Sequence, residues 1–141
     1  LSLITEVSSR MIVGFDLSHS LGIEGVIRAM KMAFRVIRDT QGMIHHSDRG
    51  VQYCSKEYIK LLKSKGIKIS MAERGNPYEN AIAERVNGIL KLEYKLGSRF
   101  NSVESAQKAV KEAVKFYNYE RPHWSLNLRT PSSVYESSEK N

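Results

Sequence analysis

Apolar residues along this chain change spacing repeatedly, from strand-like to helical and back, and that alternation restricts it to an α/β layered fold. Leu1 to Glu6 has strand character, Ser8-Ser9-Arg10 reads as a turn, and Met11 to Phe15 forms a second strand, giving an antiparallel hairpin. Ile23, Ile27, Met30, Phe34 and Ile37 then recur at helical spacing, with Arg28, Lys31, Arg35 and Arg38 on another face. Met43-Ile44-His45 reads as a short buried strand. Ser55 caps a helix that turns Tyr58, Leu61 and Leu62 inward and that Gly66 ends, and Ile67-Lys68-Ile69 is a brief strand. Gly75 to Glu79 is a polar loop. Asn80 then caps a long helix with Ile82, Val86, Ile89 and Leu90 toward the core, and Gly97 stops it. Asn101 with Glu104 resembles a capping box opening a further helix that runs to Phe116. Pro131 opposes regular structure near the C-terminus, so residues from about 118 to 141 are expected to form an irregular tail. The sum is a mixed sheet flanked by helices.

At 141 residues the chain holds one domain with a proper core, spanning 1–141. Twenty-two Lys and Arg against 15 Asp and Glu leave a net charge of +7, which favours a polyanionic partner, nucleic acid first and an anionic membrane surface second. Cys54 is the only cysteine, so no internal disulfide can form and a reducing cytoplasmic setting is expected. No apolar run reaches the length of a membrane span, so no membrane partner is expected. Leu1 to Thr5 reads as a strand already under way, as in a piece cut from a longer polypeptide.

Two carboxylates stand out by context. Asp48 closes a short strand and opens a glycine turn in His45-His46-Ser47-Asp48-Arg49-Gly50, and Glu84 sits on the helix after Gly75-Asn76-Pro77-Tyr78-Glu79-Asn80. Lys91 lies seven residues beyond Glu84, about two helical turns, and so projects from nearly the same face. Singly, such an Asp is a turn former and such a Glu a solvated helix residue. Together, each on a rigid element and with a lysine beside the second, they suggest Mg2+ or Mn2+ and a phosphate-bearing substrate. Two ions are expected in a complete site, which needs a third carboxylate that this chain does not offer. His45 and His46 lack partners at zinc-ligand spacing; one is expected to pack and the other to line the site. Glu6 and Asp16 are expected to serve turns or hydrogen bonds.

These stretches carry a family resemblance: Leu3-Ile4-Thr5-Glu6 through Gly14, His46-Ser47-Asp48-Arg49-Gly50-Val51-Gln52-Tyr53, Asn76-Pro77-Tyr78-Glu79-Asn80-Ala81 through Glu84, and Leu90-Lys91-Leu92-Glu93. Tyr117-Asn118, Arg121-Pro122-His123 and Thr130-Pro131 complete the series. The chain resembles the catalytic core of bacterial insertion-sequence transposases, of the group related to retroviral integrases. The resemblance implies a ribonuclease-H-like fold and metal-dependent DNA cleavage and joining by three carboxylates. Asp48 matches the second of these, Glu84 the third, and Lys91 the basic residue associated with the element's DNA end. Arg49, Tyr78, Asn87 and Arg121, in or beside the matching motifs, are further candidate DNA contacts. The family's first Asp lies on a central strand that would precede Leu1, so the chain by itself is expected to be inactive. The partners implied are DNA, as element ends and target, and further copies of the chain. The alternative is a non-catalytic remnant that binds DNA or a transposase. A ribonuclease of RNA–DNA hybrids suits the fold but not the motifs.

Overall fold

Residues 1–20, 22–47, 53–71 and 80–140 are described by the computed structural model. The chain groups into two compact units: 1–4 with 13–81, and 5–12 with 82–141.

Strands β1 (Ser2–Thr5) and β2 (Ile12–Asp16), all but Thr5 and Ile12 in the first unit, form a two-stranded sheet. Helix α1 (Ile23–Val36) follows and buries Val26, Ile27, Ala29, Met30 and Ala33, the stripe its apolar spacing predicts. Gly14 of β2 permits the close approach of this helix, because a β-carbon there would lie 2.0 Å from the Ala29 carbonyl oxygen. Asp16 and Arg28 form an ion pair (Nε–Oδ1 2.9 Å), so Asp16 has a structural partner. Strand β3 (Ile44–Ser47), helix α2 (Lys56–Ser64) and strand β4 (Lys68–Met71) make a β-α-β unit. β3 and β4 are parallel, with Ile44 opposite Lys68 and Ser47 opposite Met71. Ser55 caps α2 by accepting from the Tyr58 amide at 3.1 Å, and Gly66, at φ +70°, ends the helix as expected. The two sheets stay separate, with no ladder joining β1–β2 to β3–β4 among the described residues.

The second unit contains the turn after β1 and three helices. The Glu6 carboxylate accepts from the Ser8 and Ser9 amides (3.0 and 2.8 Å) and from Ser9 Oγ (2.5 Å), which fixes the turn and accounts for Glu6. Helix α3 (Ala81–Glu93) ends before left-handed Lys95 (φ +57°), not at Gly97. Helix α4 (Val103–Tyr119) is opened by Ser102 and Ser105 in a reciprocal cap, one residue beyond the expected Asn101–Glu104 box. The expected irregular tail is instead a 3₁₀ turn (Trp124–Leu126) and helix α5 (Pro131–Glu139). Thr130 caps α5 and Pro131 takes its first turn, where a proline's fixed φ and missing N–H favour a helix. Helices α4 and α5 pack together, and Val110, Val114 and Tyr135 on them are buried.

Candidate functional site

Helix α3 sorts its side chains by angle. At about 100° per residue, Asn87 lies about 60° from Glu84 around the axis and Lys91 about 20°. Glu84, Asn87 and Lys91 are all exposed, while Val86, Ile89 and Leu90, on the opposite side, are buried. The apolar stripe therefore fixes the helix rotation and leaves a polar edge facing outward, with an anion at one end and a cation about 10 Å along the axis. The signs also suit the helix dipole, since Glu84 is in the first turn and Lys91 in the last. Asn87 Nδ2 donates to the Ala83 carbonyl at 3.0 Å. Gly88 leaves this edge smooth, since a β-carbon added there would meet nothing within 4 Å.

Asp48 and Arg49, in the segment that follows β3, and Tyr78, in the expected polar loop, lie outside the described residues. The approach to Asp48 is described. His45 packs among Tyr53 and Tyr58, with ring centroids 6.3 and 5.5 Å away, and its Nε2 is 3.0 Å from the Tyr58 hydroxyl. Burial holds His45 neutral, with its pKa lowered to about 4, and pushes the Tyr58 hydroxyl above its usual range. His46 is exposed and pairs through Nδ1 with Ser70 Oγ at 3.0 Å.

Arg121 sits just past the end of α4, and its guanidinium grips Glu93 at the end of α3 through Nε–Oε2 (2.6 Å) and Nη2–Oε1 (2.7 Å). That pairing holds the Glu93 carboxyl below its ordinary pKa. Beside it, His123 is buried with its ring edge-on to Tyr117 (5.1 Å), and its Nε2 has no partner among the described residues. The Tyr117 hydroxyl donates to the Arg10 carbonyl at 2.9 Å. Asn118 accepts from the Ile12 amide and donates to the Ile12 carbonyl, both at 2.9 Å. Glu93 is the participant whose role the sequence leaves unassigned; the signal available is its place beside Lys91 in the same motif.

No three His, Cys, Asp or Glu side chains gather as a metal site among the described residues. The donor chemistry nevertheless suits Mg2+ or Mn2+. His45 Nε2 and His46 Nδ1 are engaged with hydroxyls, whereas Glu84 presents a carboxylate to solvent. No described helix is long and apolar enough to cross a membrane.

Two family profiles, each described as an integrase core domain, match residues 1–77 and 65–131. The insertion element IS600 31 kDa protein of Shigella sonnei is 37% identical over 134 residues, covering 94% of this chain and 49% of that protein. Other matching relatives are named as insertion-sequence transposases. The chain spans about half the length of most of these relatives. Among solved structures, the catalytic core of BIV integrase superposes with a TM-score of 0.73 at 20% identity, covering 98% of this chain and 86% of that one. The HTLV-2 integrase core in complex with magnesium, in its trimeric form, gives 0.68 at 18% identity, with 92% and 80% covered. The fold is the ribonuclease-H-like fold of retroviral integrase cores.

Proposed function

Because the chain belongs to the integrase core domain family, we propose that it is the catalytic core of a bacterial insertion-sequence transposase. The observation that carries this reading is the exposed edge of α3, where Glu84, Asn87 and Lys91 stand together opposite a buried apolar stripe. In the reaction proposed, a water oxygen attacks one phosphodiester at each element end and the 3′ oxygen leaves. The freed 3′-hydroxyl then attacks a target phosphodiester, forming the new ester and releasing a target 3′-hydroxyl.

Asp48 and Glu84 would hold the divalent ions, and their oxygen donors suit Mg2+ or Mn2+. When bound, such ions activate the attacking oxygen and stabilise the leaving one. Lys91 holds the phosphate of the element end beside Glu84, and Asn87, Arg49 and Tyr78 contact the same DNA. A complete site needs a further carboxylate beside Asp48 and Glu84, and without it the chain is not expected to cleave. Self-association is part of the proposal, supported by the trimeric form named for the HTLV-2 core.

The test uses the full-length protein with an element-end duplex and Mg2+. The unsubstituted protein should nick the end, whereas Asp48→Asn and Glu84→Gln should bind the duplex without nicking it. Nicking by Glu84→Gln would overturn the assignment. A full-length protein that binds ends but never nicks them would establish the non-catalytic alternative.

A further inference from the structure

Arg121 stands in a motif that invites a DNA-binding role, yet its guanidinium is directed at protein. Both of its contacts with Glu93 are short and bidentate, the geometry that fixes orientation as well as distance. Its side chain is only 18% exposed, against 45% for Glu93. Arg121 is itself held firmly. Its amide donates to the Phe116 carbonyl at 3.1 Å, Pro122 stiffens the next step, and His123 packs on Tyr117.

Glu93 lies nine residues beyond Glu84, which at about 100° per residue puts it on the opposite side of α3. It is two residues beyond Lys91. A clamp at that point resists rotation of the helix end about its own axis, which is the motion that would swing Lys91 out of line with Glu84. A partly exposed ion pair adds little to stability, so its consequence is geometric. We propose that Arg121 is a positioning residue that acts through Glu93 to set the angle at which α3 presents Lys91 and Glu84 to DNA, and is not itself a phosphate contact. This inference rests on the reading of α3 as the edge that meets the DNA end.

The test compares Glu93→Gln, Arg121→Gln and the exchanged pair Glu93→Arg with Arg121→Glu in the full-length protein. Binding to an element-end duplex and to a random duplex is measured over a salt series, together with amide exchange in the last turn of α3. Both single variants should lower the preference for ends by a similar several-fold factor and quicken exchange at Leu90 to Glu93. The salt slope should stay unchanged, and the exchanged pair should recover most of the loss. A phosphate contact behaves otherwise. Arg121→Gln would then weaken both duplexes equally and lower the salt slope by about 1, Glu93→Gln would strengthen binding, and exchange of the pair would rescue nothing. That pattern overturns the inference. If the unsubstituted protein shows no preference for ends, the functional reading fails by itself, and exchange in α3 still decides the clamp. Unaltered exchange in both single variants would overturn it.

Discussion

Asn118 joins both halves of its amide to one residue, Ile12, as a neighbouring strand would, and both partners are buried. Asn118→Leu would strand a buried donor and a buried acceptor, with an expected loss of roughly 2–4 kcal/mol in urea unfolding. A loss below about 1 kcal/mol would show that water reaches Ile12. His123 gives a prediction in pH. Burial, aided by the Arg121 charge, lowers its pKa to about 4, and burial does the same for His45. The unfolded chain takes up these protons near pH 6.5 and the folded one only near 4. Stability should therefore be complete above about pH 6.5 and decline as pH falls toward 4. His123→Phe should make the decline in Tm between pH 7.5 and 5 shallower; an unchanged decline would count against a neutral buried ring. At this scale the sequence is partly legible. The roles expected for Glu6 and Asp16, in a turn and a hydrogen bond, are those observed. The partners of Asn118 and Arg121 are not legible, because they lie 106 and 28 residues away and nothing local encodes the pairing.

At the scale of elements, periodicity carries the most information. The stripe of Val86, Ile89 and Leu90 fixes the rotation of α3, and the shared face of Glu84 and Lys91 follows from it. Helix ends are less legible, because neighbouring polar residues compete for a cap: Ser102 serves α4 where Asn101 is the expected residue. Helix α5 is hidden in the sequence because Pro131 reads as a breaker, although it occupies the first turn. Two glycines make opposite predictions. Gly88→Ala should raise stability by roughly 1 kcal/mol, since the mid-helix site is open and alanine is the better helix former. Gly14→Ala should destabilise by roughly 1–3 kcal/mol or more, since its β-carbon would collide with backbone of α1. Chemical denaturation midpoints check both, and a stabilising Gly14→Ala would refute the close approach.

For the whole molecule, fold class is legible because strand and helix periods alternate so plainly, and the integrase-core likeness agrees with it. Among the described residues no ladder joins the β1–β2 sheet to the β3–β4 sheet. A two-stranded parallel sheet is marginal by itself, and β3 leaves Ile44 largely exposed. Backbone amides of β3 should therefore exchange faster than those of the buried helix α1, and equally slow exchange would contradict this. The +7 charge should make DNA affinity fall steeply with added salt, through counterion release. That Asp48 meets Glu84 is the central proposal, and it depends on tertiary placement that local spacing does not encode. The most direct measurement is anomalous diffraction from crystals of the full-length protein grown with Mn2+. An anomalous peak touched by both the Asp48 and Glu84 carboxylates is expected, and it should be lost in Glu84→Gln. Saturating Mn2+ bound elsewhere, with neither carboxylate in contact, would contradict it.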